Sequence, residues 1–320
     1  MACHCARHAH KPHPVGGNVM ELWVAITFAA AFLQNLRSAA QKHLKAVMGT
    51  TGATFVRFGF GLPFAALFLW LTTWLGGHQV PVANGTFLLW VVIGAFSQIA
   101  GTFLLIHLFS HRNFAVGTAY SRTEPAQAAL FGLIFLGETI TPGTLIAIAI
   151  SVFGVMLISV AHMQMTWRNL LASVVARNAL IGLASGMMYG IAAVAYRAAS
   201  LSLGGPNFMV QAATTLVWTI SLQTVAMGLW MWWKDRAEIG RILRAWRVAL
   251  FTGWAGATAS FGWFMAMTLQ QAAVVKALAQ VEMLFTFAAS ILFFKERINR
   301  IETMGCVLIV TGILVLLLVG

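Results

Sequence analysis

A sixteen-residue pattern occurs twice in this chain, the second copy 158 residues after the first. Residues 123–138 read TEPAQAALFGLIFLGE and residues 281–296 read VEMLFTFAASILFFKE. Glu124 thus corresponds to Glu282, and Glu138 to Glu296. A glycine sixteen residues beyond each terminal glutamate, Gly154 or Gly312, keeps the register. The chain has eight acidic residues and four of them hold these positions, so coincidence is a poor account. The same offset aligns Phe103 with Phe261 and Ala115-Val116 with Ala273-Val274. The chain reads as an internal duplication.

The residues around the two copies fix the solvent. Only 9% of the chain is charged and 60% is hydrophobic, with a mean hydropathy of +0.83. A soluble domain is usually about a quarter charged, so the chain reads as a polytopic membrane protein. In a soluble protein the net charge of +12 would suggest nucleic acid. Here most basic residues fall between apolar runs, where they orient helices and meet lipid headgroups. No nucleic-acid partner is expected; the bilayer is.

A hydrocarbon core of about 30 Å needs roughly 20 apolar residues per helix. Such runs fall at about 21–41, 51–75, 86–108, 114–137, 141–161, 178–199, 207–232, 248–268, 271–294 and 300–319. Glycine, proline and asparagine punctuate the breaks, as at Asn84-Gly85 and Thr141-Pro142-Gly143. No run alternates with period two, so the expected fold is all-α, with ten transmembrane helices. They divide into residues 20–161 and 178–320, joined by a connection at 162–177. Five is odd, so the second set must enter the membrane upside down relative to the first. Inverted repeats of this kind build many secondary transporters.

Residues 1–19 read as a disordered tail, or as sequence ahead of a true start at Met20. They lack the apolar core of a cleavable signal peptide. Cys3, Cys5, His4, His8, His10 and His13 lack zinc-motif spacing, so no metal site is expected. Orientation follows from Lys and Arg in the connections. Thirteen sit in the odd-numbered loops, among them Lys42, Lys45, Arg177, Lys234, Arg236, Arg241, Arg244, Arg247 and Arg300. The positive-inside rule places those loops in the cytoplasm and both termini outside.

Glu124 and Glu282 carry the chemical interest. Each lies about ten residues into its run, roughly 15 Å deep. A charge at that depth costs about 2.5–3.5 kcal/mol on insertion scales and marks a functional site by default. The bland alternative is a structural hydrogen bond between helices. Arg122 and Glu124 are two residues apart and point to different faces, so they are poor partners for each other. Lys276 and Gln280 share a face. Glu124, Glu282, Arg122, Lys276 and Gln280 together would suit a zwitterion, or would close the cavity by pairing internally. Gln34, Ser38 and Gln41 line one face of the first helix, with Asn35 beside them. Arg37 is expected to snorkel to headgroups. Arg57 and Gln98 are weaker site candidates, and Tyr120, Tyr196, Trp254 and Trp263 are candidate aromatic walls. Glu138 and Glu296, at helix ends, are expected to cap the next helix. Gly154 and Gly312 mark the repeat. Gly182, Gly186 and Gly190 have the spacing of a close helix contact, and Gly59, Gly61 and Pro63 would loosen their helix. No metalloprotease, nucleophile-elbow, Walker or dinucleotide motif occurs, so neither catalysis nor a cofactor is expected.

Residues 123–158 and 280–316, each an apolar helix ending in Gly-Glu or Lys-Glu before a final helix, resemble the EamA-type branch of the drug/metabolite transporter superfamily. The resemblance extends over residues 20–320. It implies an inner (plasma) membrane carrier that exports amino acids or other small metabolites by alternating access. Ten-helix members are generally drawn with both termini in the cytoplasm, against the charge count here. The expected function is export of a small polar metabolite. Glu124 and Glu282 would bind a cationic group or a proton. A membrane scaffold and an intramembrane enzyme are the rival classes. A scaffold would have both glutamates locked to basic partners and no pocket between the halves.

Overall fold

The computed structural model describes residues 17–108, 114–161, 177–205, 207–292 and 300–319. Glu296 and most of the N-terminal tail and central connection lie outside them. The described residues form helices and no strands. The first half runs α1 (Gly17–Leu44), α2 (Thr50–Gly59), α3 (Leu62–Trp74), α4 (Gly85–Leu108), α5 (Phe114–Ser121), α6 (Glu124–Leu136) and α7 (Pro142–Ala161). The second runs α8 (Arg177–Ser202), α9 (Phe208–Lys234), α10 (Arg236–Arg244), α11 (Trp246–Leu269), α12 (Ala272–Leu278), α13 (Val281–Leu292) and α14 (Arg300–Val319).

Six helical segments among these are long and apolar enough to cross a membrane: Thr50–Trp74, Gly85–Leu108, Pro142–Ser159, Arg177–Ser202, Phe208–Lys234 and Arg300–Val319. The other four expected spans differ for local reasons. The end of α1 carries Gln34, Asn35, Arg37, Ser38 and Gln41, and α11 is rich in Gly, Ala, Ser and Thr. The runs expected at 114–137 and 271–294 are each broken in two. These four are the segments that carry most of the candidate site.

The breaks have physical causes. Pro125, in the first turn of α6, has no amide to extend a helix backwards. The chain turns tightly there, with Arg122 N donating to Ala119 O at 3.1 Å and Thr123 N to Tyr120 O at 3.2 Å. At the second break no proline helps. Gln280 N donates to Ala277 O at 3.2 Å, and Glu282 N to Ala279 O at 3.0 Å. A broken helix within a bilayer must satisfy its freed backbone groups. Gln280 Nε2 donates to Arg122 O at 3.1 Å, so one break caps the other. A third break, at Phe60–Gly61, separates α2 from α3 where Gly253 of α11 presses on Phe60.

The packing repeats as the sequence does. Helix α1 packs on α11, and α4 packs on α8. Helix α7 packs on α14 at its own counterpart, with Gly154 against Gly305 and Gly312 against Ala147 and Ser151. A Cβ on Gly154 would lie 2.8 Å from Gly305 O, and one on Gly312 would lie 3.0 Å from Ala147 O. Gly186 and Gly190 give α8 the same close approach to Ser121 and Ala128, beside the first break. Helix α10 is amphipathic. Its buried Glu238 accepts from Gly49 N through both carboxylate oxygens, at 3.0 and 2.9 Å, and so caps α2.

Candidate functional site

The breaks put Glu124 and Glu282 in the first turns of α6 and α13. Neither is the mid-helix residue expected from continuous runs. Each carboxylate lies at the positive end of a helix dipole, which favours its charge. Arg122 and Gln280 occupy the breaks themselves.

Each glutamate is paired across the halves. Arg122 Nη1 lies 3.2 Å from Glu282 Oε2, and Nη2 lies 3.4 Å from Oε1. Gln34 Nε2 adds a hydrogen bond to Glu282 Oε2 at 2.9 Å. Lys276 Nζ lies 2.8 Å from Glu124 Oε1, as an electrostatic contact without an aligned hydrogen bond. The ammonium also sits 5.0 Å from the centre of the Trp263 ring, in cation–π range. Each glutamate therefore holds a cation from the other half, which is the internal pairing expected as the alternative to a cationic or protonic ligand.

The pairs do not close the interior. A cavity of about 110 Å³ lies between the halves. Gln34, Arg57, Gln98, Arg122, Glu124, Lys276 and Glu282 line it, as do Tyr196 and Trp263. Two candidates do not. Asn35 turns to α13, donating to Thr286 Oγ1 at 2.9 Å and Glu282 O at 3.3 Å. Gln280 is spent on the break at Arg122. Tyr120 is also absent from the lining, and Trp254 is exposed on the outer surface.

Arg37 is the main residue that sequence reasoning placed wrongly. It does not reach outward to headgroups. It is 5% exposed and lines the cavity beside Arg57, which is 4% exposed. Gly256 of α11 makes room for both: a Cβ there would lie 3.3 Å from both Arg37 Cδ and Arg57 Cγ. Arg57 donates to Thr102 Oγ1 at 3.3 Å and to Ser260 Oγ at 3.4 Å. Tyr189 donates to the same threonine hydroxyl at 3.0 Å. Gln98, Tyr196 and Gln223 form a buried network on the neighbouring wall, with Tyr196 to Gln98 at 3.0 Å and Gln223 to Gln98 at 2.8 Å. Thr102 is marked in the sequence as the i, i+4 partner of Gln98 on one helix; Tyr189, Gln223 and Ser260 had no sequence mark beyond being polar or aromatic in apolar runs.

Glu138 corrects a further expectation. It does not cap α7, because Thr141 Oγ1 accepts from Thr144 N at 3.1 Å and fills that role. The left-handed turn at Gly137, φ 65°, ends α6 and aims the chain elsewhere. Glu138 Oε1 pairs with Arg197 Nε at 2.5 Å. Arg197 also donates to Met267 O at 2.6 Å and Gln270 O at 2.7 Å, tying α8 to the end of α11. Among the described residues, no group of three His, Cys, Asp or Glu side chains could hold a metal ion.

No curated protein matches the chain. A solved structure that describes itself only as "Crystal structure of protein" superposes with a TM-score of 0.66 at 16% identity. The match covers 92% of this chain and 96% of that one, and at such identity it shows the fold alone. The EamA-like transporter family matches twice, at residues 21–160 and 177–318, the two halves that meet at the cavity. A duplicated, helical, apolar chain with paired charges at its centre therefore belongs to the EamA-like transporter family, whose members are multi-pass membrane proteins that carry small molecules.

Proposed function

We propose that the protein is a secondary transporter of the inner (plasma) membrane, exporting a small polar metabolite by alternating access around the central cavity. In this reading the chain makes ten spans, with α2–α3, α5–α6 and α12–α13 each counting as one broken span. The second five are inverted relative to the first. The odd-numbered, lysine- and arginine-rich loops face the cytoplasm and both termini lie outside. The observation that carries the reading is the cavity between the halves, with charged groups from both on its wall. Broken helices at mid-membrane, with their ends turned on a site, are how many inverted-repeat carriers build one.

The residues divide into roles. Arg122, Glu282, Glu124 and Lys276 cross the boundary between halves, so rocking one half against the other strains or exchanges these pairs. Gln34, Gln98 and Arg57 supply donors and acceptors to the cargo. Asn35 and Gln280 hold the broken helices in place. Glu138 and Arg197 tie the halves at one end of the cavity. Protons are one candidate coupling ion, with the glutamates as carriers.

The scaffold reading draws on one specific observation, that both glutamates have basic partners. A polar cavity between the halves costs a scaffold stability without return, which favours transport. The test is reconstitution of wild type, Glu124→Gln and Glu282→Gln in vesicles preloaded with an extract of small metabolites. The reading expects release by wild type and at least a tenfold loss in both variants. Unchanged release in both variants would remove the glutamates from the mechanism. No release by folded wild type would favour the scaffold.

A further inference from the structure

The positive and negative charges of the cavity do not balance. Four cationic side chains line it, Arg37, Arg57, Arg122 and Lys276, against two carboxylates, Glu124 and Glu282. The two carboxylates are taken by Arg122 and Lys276. Among the described residues, no carboxylate lies within ion-pair distance of Arg37 or Arg57. Their polar contacts are hydroxyls: Ser38 Oγ at 3.3 Å for Arg37, and Thr102 and Ser260 for Arg57. The Nε of each is buried with no hydrogen-bond partner.

A buried guanidinium without a counter-charge is costly, and two side by side are worse. Proteins keep such groups where an anion completes them, because the guanidinium fork matches carboxylate and phosphate oxygens. The repeat does not explain the pair. At the 158-residue offset, Arg37 and Arg57 correspond to Ala195 and Thr215, so the duplicated plan carries no cation there. Gln98 corresponds to Gly256, the residue that makes room for both arginine stems. The second half has been hollowed where the first half places its charges.

We propose that Arg37 and Arg57 form an anion subsite, and that the transported metabolite carries net negative charge as a carboxylate or phosphate. The proposal rests on the transport reading above and narrows its cargo. An amino-acid zwitterion fits less well, because its ammonium group would meet no free carboxylate.

Two measurements on the purified full chain in detergent test the proposal. The first is thermal unfolding at constant ionic strength with acetate, succinate, inorganic phosphate, alanine or ethylammonium, each as the chloride or sodium salt. At least one of acetate, succinate and phosphate should raise the midpoint saturably, by on the order of 3 °C, and ethylammonium should not. Arg37→Met and Arg57→Met should abolish the shift while raising the midpoint without ligand, since each removes an uncompensated buried charge. Arg37→Lys and Arg57→Lys keep the charge and should retain a weaker shift, and Arg244→Gln on exposed α10 should change nothing. The second is uptake of the stabilising anion, isotopically labelled, into vesicles. Uptake that saturates identifies cargo, whereas stabilisation with chloride efflux alone identifies a coupled inorganic anion and overturns the cargo assignment. If no anion stabilises wild type, or the shift survives both methionine variants, the subsite is wrong. Transport of a cation or zwitterion by the same vesicles would then leave the transport reading standing without it.

Discussion

Glu124 and Glu282 occupy equivalent places in the two repeats, yet their surroundings differ. The Glu282 side chain is 6% exposed and held by both nitrogens of a guanidinium fork and by Gln34. The Glu124 side chain is 20% exposed and meets one ammonium. Arginine grips a carboxylate through a rigid planar fork, whereas lysine offers a flexible point charge. Duplication therefore supplied two matching acids, and later divergence made one a lock and the other an adjustable contact. The α7–α14 contact teaches the opposite lesson. There Gly154 and Gly312 face matching neighbours and the symmetry has been kept. The halves agree where they must pack and differ where they must act.

That contrast predicts an ordered set of stability losses in detergent. Arg122→Ala strands a nearly enclosed carboxylate and should cost about 3–5 kcal/mol. Lys276→Ala leaves a partly wetted carboxylate and should cost about 1 kcal/mol or less. Equal losses in chemical unfolding would erase the distinction between lock and contact. Next come Gly154→Val and Gly312→Val, which drive side-chain atoms towards backbone 2.8–3.0 Å away. Each should cost about 1–3 kcal/mol, and the two should match closely. A large difference between them would show that the symmetry of the α7–α14 contact is only geometric. Gln34→Leu falls between these and Lys276→Ala: it removes one hydrogen bond to Glu282 and one accepted from Trp263 Nε1, at 2.9 Å each. It should cost about 1–2 kcal/mol and leave the Arg122 fork in place. A loss as large as that of Arg122→Ala would make the amide the true anchor.

Much of the architecture was legible because it repeats. The 158-residue offset located the halves, the glutamates and the glycines of the α7–α14 contact. Pro125 explains one helix break, although residues 114–137 read in the sequence as one continuous run. The break at Gln280 carried no such mark, since it is held by a hydrogen bond to the opposite half. The same limit explains the pairing. Sequence spacing tells which residues share a face of one helix, and on that basis Arg122 and Glu124 are rightly poor partners. It does not tell which helix lies opposite, and there each finds its partner. The place of Arg37 near a helix end points to a headgroup contact, because long cations there usually reach outward. Only the neighbouring Gly256, on a helix more than two hundred residues later, shows that it turns inward. Glu138 was read from its position alone, and Thr141 three residues on took the role assigned to it.

The central claim is that the cavity between the halves opens in turn to each side of the membrane. Ser260 lines it at mid-helix in α11. In a background with Cys3, Cys5 and Cys306 replaced by serine, Ser260→Cys would be exposed to a membrane-impermeant thiol reagent from one side of oriented vesicles at a time. Alternating access predicts labelling from both sides, slowed on each by transported cargo. Labelling from one side only, or from neither while the protein still transports, would contradict it.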